Sequence, residues 1–248
     1  MVVQQECLTC GGTGWKMVTR DGASAAERCE CLAIDRAERI QSAANIPPHY
    51  LDAGFDNFLA YNDRLQNAQV ISRRYADEYP PVKGPRGLLY VGDTGSGKTH
   101  LAIAVMNRLI QNGHECVFFD YQSLLERIRS GYDPASGSAS REAYRTALEC
   151  EVLILDDLGA HRVTDWVEDT ITSIITQRCN ENRALIATTN LRDPEAGDPA
   201  VPQGLAGDVS SRYYLSERIG FRARSRLFEM CRVVSTRGVD DYRTRRSR

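Results

Sequence analysis

The fold is decided by the stretch Gly92-Asp93-Thr94-Gly95-Ser96-Gly97-Lys98-Thr99, a glycine-rich loop that ends in a Lys-Thr pair. It lies between an apolar run predicted as a strand, residues 87–91, and a predicted helix, residues 100–109. Glycines let successive backbone N–H groups turn inward, and together with the start of a helix these groups bind phosphate. The loop, including His100, is therefore predicted to bind a nucleotide, with Lys98 on the β- and γ-phosphates and Thr99 on Mg²⁺.

A second apolar run, residues 152–155, ends in Asp156 and Asp157. Its lack of alternation is typical of a central parallel strand that is covered on both faces. Phosphate-loop proteins hold Mg²⁺ through a carboxylate at the end of a neighbouring strand, so Asp156 is predicted on the metal side and Asp157 as the group that polarises an attacking water. The alternatives are that the pair caps a helix, or that Asp157 has only a structural role.

A third run, residues 184–190, ends in Thr188, Thr189 and Asn190. Parallel strands carry their functional side chains at their carboxyl ends, so we expect Asn190 to lie beside the phosphates. An amide there would orient the hydrolytic water or sense the γ-phosphate. The alternative is that Thr189 and Asn190 only begin the next turn.

Two cysteine pairs near the N-terminus, Cys7/Cys10 and Cys29/Cys31, are separated by 18 residues. This spacing is close to that of a four-thiolate Zn²⁺ site, and a short segment with few large apolar residues needs such a staple to fold. All four cysteines are therefore predicted to bind zinc. The second pair is CxC instead of CxxC, which leaves a disulfide or a redox dithiol as alternatives, although disulfides are rare in the cytosol.

Composition places the chain among ordinary globular proteins, with 248 residues, 42% hydrophobic residues, 26% charged residues and a formal net charge of -2. That charge argues against nonspecific nucleic-acid binding by the whole surface. No run approaches the roughly 20 apolar residues of a membrane span, and residues 1–10 lack a signal sequence, so we expect a cytoplasmic protein without a membrane partner. Residues 218–248 hold ten arginines and three acidic residues, which is typical of a solvated tail or of a phosphate-contacting surface.

With these motifs in order, residues 46–242 resemble the AAA+ ATPases of the DnaC/IstB type, which are bacterial and phage helicase loaders and transposition helper ATPases. The resemblance rests on residues 92–100, on Leu153-Ile154-Leu155-Asp156-Asp157-Leu158-Gly159, on Ser225-Arg226-Leu227-Phe228-Glu229-Met230-Cys231 and on Ile46-Pro47-Pro48-His49-Tyr50. It implies an ATPase that binds ATP and Mg²⁺, assembles as a homo-oligomer on single-stranded DNA and delivers or remodels a replicative helicase. The DNA contacts would fall within residues 121–149.

The resemblance leaves three alternatives open. A transposition helper ATPase would act with a transposase in place of a helicase. A nucleotide-dependent adaptor would hydrolyse ATP weakly and use it to order its surface. A small-molecule P-loop kinase would need an acceptor pocket and a lid within one subunit.

By the same resemblance Arg226 is the arginine finger, a residue that enters the nucleotide site of the adjacent subunit and neutralises charge in the transition state. Arg218, Arg222 and Arg226 are spaced four apart, and are predicted on one face of a helix. The alternatives are a solvated basic face, or Arg222 or Arg224 as the finger.

The predicted fold is therefore α/β: a P-loop AAA+ core with a parallel sheet flanked by helices, no C-terminal lid domain, and a small N-terminal zinc-binding module. The absence of a lid is expected because few residues follow the last predicted strand, residues 232–235. The predicted divisions are the cysteine module at residues 1–32, a linker helix with the Ile46–Tyr50 segment at 33–50, the ATPase core at 51–242 and a basic tail at 243–248.

Overall fold

The computed structural model describes residues 7–10, 13, 15–20, 23–29, 44–130, 137–194 and 214–245. Cys31, the predicted linker helix up to residue 43 and residues 246–248 of the predicted basic tail lie outside these ranges. The predicted division into modules stays a prediction.

A two-stranded antiparallel hairpin lies close to the N-terminus in sequence. Its strands are β1 (Trp15–Arg20) and β2 (Ala23–Arg28), and the register pairs Trp15 with Arg28. Two residues separate the strands, Asp21-Gly22, a pair that favours tight hairpin turns. Cys29 follows β2 directly, and the hairpin returns the chain towards the first cysteine pair.

A five-stranded parallel sheet forms the centre of the larger part of the chain. Its strands are β3 (Gly87–Gly92), β4 (Cys116–Asp120), β5 (Val152–Asp156), β6 (Ala184–Thr189) and β7 (Cys231–Thr236). Their order across the sheet is β4-β5-β6-β3-β7. One expectation was wrong: β5, which ends in Asp156, does not neighbour β3, because β6 is hydrogen-bonded between them. Strands that share one edge still bring their carboxyl ends together.

Helices cover both faces of the sheet. In chain order they are α1 (Asp63–Asp77), α2 (Lys98–Gln111), α3 (Tyr121–Ser130), α4 (Gly137–Glu149), α5 (Asp165–Asn180), α6 (Ser216–Ile219), α7 (Phe221–Met230) and α8 (Tyr242–Arg245). Successive residues of β3 serve opposite faces, as the pleat requires. Leu88 and Tyr90 pack with α1 and α2, whereas Leu89 and Val91 pack with α3 to α7.

This layered architecture confirms the predicted α/β class with a parallel sheet flanked by helices. Both faces of β3, β5 and β6 are buried, which explains why these runs are apolar without alternation. Within the ranges that the structure describes, no helix is both long enough and apolar enough to cross a bilayer.

Candidate nucleotide and metal sites

The phosphate loop, residues 92–99, joins the buried end of β3 to α2. Gly95 and Gly97 have φ angles of 73° and 89°, in the left-handed region that favours glycine. A Cβ on Gly97 would lie 2.7 Å from the ring of Phe58, so the loop also needs glycine there for space. Gly97 caps α2 without a side-chain hydrogen bond, and the N–H groups of the first turn remain available to an anion.

Lys98 is buried at the base of this loop, with only 6% of its surface exposed. Its Nζ donates to the backbone oxygen of Asp93 at 2.8 Å. Burial, followed by the charge of Arg237, lowers the pKa of Lys98 to about 8, against the opposing effect of nearby carboxylates. A poorly solvated ammonium in this position would gain strongly from a bound phosphate.

Thr99, in the first turn of α2, contacts Asp156 at the end of β5, although β3 and β5 are not neighbours in the sheet. Thr99 Oγ1 donates to Asp156 Oδ1 at 2.9 Å, and Thr188 Oγ1 donates to the same oxygen at 2.7 Å. Burial raises the pKa of Asp156, and the two hydroxyls oppose that shift. A hydroxyl and a carboxylate are ligands that suit Mg²⁺. Thr188, on β6, holds the Asp156 carboxylate by this hydrogen bond, and no role for it was predicted from the sequence.

Asp157 and Asn190 meet beside this pair, because β5 and β6 are adjacent. Asn190 Nδ2 donates to Asp157 Oδ1 at 2.7 Å. Asp157 has a φ of 56°, unusual for a residue other than glycine, and its N–H donates to Thr188 Oγ1 at 2.9 Å. Burial raises the pKa of Asp157, whereas the Lys98 charge opposes the shift. Strained conformations of this kind recur at functional sites.

A cavity of about 840 Å³ opens above the loop, which is large enough for a nucleotide. One wall holds Lys98, Asp156 and Asn190. The other wall comes from the segment that precedes the core, with His49, Tyr50, Phe58, Leu59 and Tyr61. His100 joins the two, because its Nε2 lies 2.9 Å from the oxygen of Gly54 and its ring is 5.4 Å from that of Phe58. This aromatic wall was missed from the sequence, where its only signal was aromatic residues around a double proline.

The turn after β7 also contacts the phosphate loop. Gly238 N donates to Asp93 Oδ2 at 2.8 Å, and Arg237 Nη1 lies 3.2 Å from Asp93 Oδ1. Burial alone would raise the pKa of Asp93, but the Gly238 N–H and the Arg237 charge together lower it. Asp93 was predicted as part of the nucleotide-binding loop, but its contacts with Arg237 and Gly238 were not predicted from the sequence.

The basic helix differs from its prediction. α6 ends and α7 begins at Gly220, whose φ is 81°, so Arg218 lies on a different helix from Arg222 and Arg226 and the single-face prediction was wrong. Arg218 Nε instead donates to the oxygen of Gly159 at 3.0 Å. Only the spacing of Arg222 and Arg226 along α7 stands as expected.

The remaining arginines of α7 have different surroundings. Arg224 makes two bonds of 2.6 Å to Asp193, and the side chains are 12% and 2% exposed. Arg224 is therefore engaged within its own chain, which disfavours it as a finger. Arg226 is 44% exposed and pairs with Glu229 at 2.7 Å.

The thiols of Cys7, Cys10 and Cys29 lie within 4.8 Å of one another. The Sγ atoms of Cys7 and Cys29 are 3.7 Å apart. Hydrogen bonds from the backbone of Thr9 and then of Cys10 lower the pKa of Cys7 to about 6, which favours the thiolate form that metals bind. Three converging thiols suit a zinc donor set. The predicted fourth ligand, Cys31, lies outside the described residues.

Bacterial proteins of similar sequence include an uncharacterized protein and a replicative helicase loader. The chain is 28% identical over 240 residues to the uncharacterized protein YqaM of Bacillus subtilis (strain 168), covering 90% of this chain and 69% of that protein. It is 22% identical over 159 residues to the replicative helicase loader DnaC of Escherichia coli (strain K12), covering 63% of this chain and 64% of that protein.

Solved structures share the fold. The crystal structure of the DnaC helicase loader superposes with a TM-score of 0.62 at 29% identity, covering 76% of this chain and 99% of that one. That of DnaI gives 0.60 at 22% identity, covering 82% and 99%, and this likeness shows the fold alone.

The sequence profile described as IstB-like ATP binding protein matches residues 56–196, which is more than half of the chain. The matched region contains the phosphate loop, Asp156, Asp157 and Asn190. The chain belongs to the IstB-like family of ATP-binding proteins, which confirms the resemblance inferred from its motifs.

Proposed function

We propose that the protein is a cytoplasmic ATP-dependent helicase loader, which binds ATP and Mg²⁺, assembles on single-stranded DNA and delivers or remodels a replicative helicase. The observation that carries the proposal is the meeting of Thr99, Asp156, Asp157 and Asn190 beside Lys98 in a nucleotide-sized cavity. Similarity to the helicase loader DnaC, in sequence and in fold, favours a loader over a small-molecule kinase.

The roles of the site residues follow from their positions. Backbone N–H groups of residues 92–100 would hold the phosphates, and Lys98 would leave the oxygen of Asp93 to bind the β- and γ-phosphates. Thr99 and Asp156 would hold Mg²⁺, which when bound neutralises charge on the phosphate oxygens.

Hydrolysis needs a water in line with the bond that breaks. In the proposed step the water oxygen bonds to the γ-phosphorus while the bond from that phosphorus to the β,γ-bridging oxygen breaks. ADP leaves, and Asp157 polarises the water and accepts the proton that it loses. Burial raises the pKa of Asp157, which makes its carboxylate a better proton acceptor. Asn190 holds Asp157 at 2.7 Å and would orient the same water.

Asp157→Asn should preserve ATP binding and slow turnover by about 100-fold, the lower end of what a positioned general base contributes. The amide keeps the shape of the side chain but cannot accept a proton. Nucleotide titration checks that binding is preserved, and phosphate release measured on the same preparation checks that turnover is slower. Asp169→Asn, an exposed carboxylate on α5 that does not line the cavity, is the matched control and should hydrolyse ATP close to the parent rate. Parent-rate hydrolysis by Asp157→Asn would remove Asp157 from the water-polarising role.

Arg226 is the proposed finger, supplied to the site of an adjacent subunit. Its partial exposure on α7 is compatible with that reach, and its pairing with Glu229 would have to open on assembly. Exposed ion pairs contribute little to stability because water screens them, so opening this pair on assembly costs little free energy.

Steady-state hydrolysis with and without single-stranded DNA tests the loader proposal. We expect a low rate for the dilute protein, a higher rate when it assembles on DNA, and DNA affinity that falls as salt rises because phosphate contacts release counterions. Addition of the replicative helicase of the same organism should then give DNA-dependent unwinding. A rate that ignores protein concentration and DNA would point to a kinase or an adaptor.

A transposition helper is the second candidate, because the family profile that matches the chain is IstB-like. Crosslinking of the ATP-bound protein to the helicase and to a transposase of the same organism separates the two. Capture of the transposase alone would favour the helper.

We also propose a structural Zn²⁺ held by Cys7, Cys10, Cys29 and Cys31, supported by the three thiols that converge. The purified protein should contain one equivalent of zinc, and a chelator should unfold residues 1–32, since bound zinc supplies folding free energy to such modules. Cys29→Ser should lose the metal, whereas Cys179→Ser, a half-buried cysteine on α5, should retain it. A disulfide with well under one equivalent of zinc would contradict the proposal.

A further inference from the structure

The turn after β7, residues 237–242, is attached to the phosphate loop at two points. Arg237 and Gly238 hold the two carboxylate oxygens of Asp93. Four residues after Gly238, the N–H of Tyr242 donates to the oxygen of Gly95 at 3.1 Å. A Cβ on Gly95 would overlap the Asp241 carboxylate, so this turn lies directly against the loop.

Arg237 also contacts a second part of the site. Its Nη1 donates to the oxygen of Asn190 at 3.0 Å, and its Nη2 donates to the oxygen of Leu191. One guanidinium therefore holds the loop residue Asp93 and the first turn after β6 together. The same Asn190 donates its side-chain amide to Asp157. The chain of contacts runs from the phosphate loop through Arg237 and Asn190 to Asp157.

The surroundings of Arg237 favour a role beyond anchoring the turn. Its side chain is 13% exposed, and its charge acts unfavourably on the neighbouring Lys98. A neutral donor could satisfy one or two of these acceptors without placing a second cation beside a buried one. The planar fork of arginine is suited to hold a carboxylate and carbonyl oxygens from different elements in a set geometry.

We propose that Arg237 is a positioning residue for ATP hydrolysis, because it holds Asn190, at the end of β6, in a fixed position relative to the phosphate loop. The inference rests on the proposed ATPase function and deepens it. Arg237 does not touch the cavity, and it acts through Asn190 on Asp157. A displaced Asn190 would leave the nucleotide bound but the water poorly aligned.

Arg237→Ala should lower kcat for ATP by about 10- to 100-fold, as small misplacements of reacting groups do. The dissociation constant for ATP should stay within about threefold of the parent value, because the groups that hold phosphate are unchanged. Arg237→Lys should recover only part of the rate, since an ammonium cannot bridge the same acceptors. Arg232→Ala changes an exposed arginine on β7, the strand that leads to Arg237, and is the matched control, which should leave kcat unchanged.

Asp93→Asn tests the chain of contacts. If Asp93 acts through Arg237, the double variant Asp93→Asn/Arg237→Ala should be no slower than Arg237→Ala alone. A melting temperature and an ATP affinity that fall together with kcat would assign Arg237 a merely structural role and overturn the inference. An unchanged kcat in Arg237→Ala would overturn it as well.

Hydrogen exchange separates this inference from the proposed function. A non-hydrolysable ATP analogue should protect the amides of residues 93–97 and 190–192 in the parent, and Arg237→Ala should lose protection only at 190–192. If the parent hydrolyses no ATP under any condition, the proposed function fails and the inference fails with it, whereas the exchange pattern of a parent that does hydrolyse ATP tests the inference alone. Retained protection at 190–192 in Arg237→Ala, or no protection there in the parent, would overturn it.

Discussion

Lys98→Ala should reduce ATP affinity by at least about 100-fold and remove detectable hydrolysis, because charge-assisted hydrogen bonds to phosphate contribute roughly 1.5–3 kcal/mol each. The side chain is buried at the base of the loop, and its Nζ donates a hydrogen bond to the backbone oxygen of Asp93. A phosphate would therefore meet an ammonium that is already stripped of most of its water. Of the chain's three lysines, all of which lie in the described ranges, only Lys98 lines the cavity.

Titration with a fluorescent ATP analogue and measurement of phosphate release check this prediction. Lys83→Ala provides the matched control, since Lys83 is exposed on the segment before β3 and should not affect either quantity. Parent-like affinity in Lys98→Ala would show that the cavity does not bind phosphate through the loop.

Arg226→Ala should retain ATP affinity and lose turnover by about 1,000-fold in the assembled protein, the lower end of the range for arginine fingers. Its guanidinium would enter the neighbouring site, so the variant's own phosphate loop stays intact. An equimolar mixture of Arg226→Ala and Lys98→Ala should recover part of the activity. The first variant supplies an intact site, and the second supplies an intact finger.

Comparison within α7 makes this test sharper. Arg222 is exposed four residues before Arg226, and its alanine variant decides between the two candidate fingers. Arg224→Ala is not an equivalent comparison, because it would break the paired bonds to Asp193 and disturb the turn after β6. Loss of turnover in Arg222→Ala alone would move the finger to that residue. A mixture that recovers no activity would argue against any finger in trans.

The sequence predicted the parts of the site whose geometry is local. A strand, a glycine-rich turn and a helix are contiguous, so the cradle between Gly92 and Thr99 follows from residue types and spacing. The apolar runs before Asp156 and before Asn190 identified two buried strands. Since parallel strands end at one edge, the contact of Asp157 with Asn190 was foreseeable as proximity, though not as a hydrogen bond.

Contacts between distant residues could not be predicted in this way. Asp93 and Arg237 are 144 residues apart, and no periodicity links them. Arg178 is another case: a fully buried arginine of α5 that donates to the oxygen of Ala147 in α4 at 2.9 Å. Charged residues are rarely buried unless they are paired, so an arginine in an amphipathic helix is expected on the exposed face. The burial of Arg178 could therefore not be predicted from its position in the helix.

Residue types and spacing were enough to predict the phosphate loop, the acidic strand end, the α/β class and the family, because each depends on short contiguous patterns. The tertiary structure alone decided that β6 lies between β3 and β5, that aromatic residues wall the cavity, and that α7 breaks from α6 where Gly220 packs against Glu168. Strand order and helix breaks are set by which surfaces bury each other best, and that competition involves residues far apart in the chain.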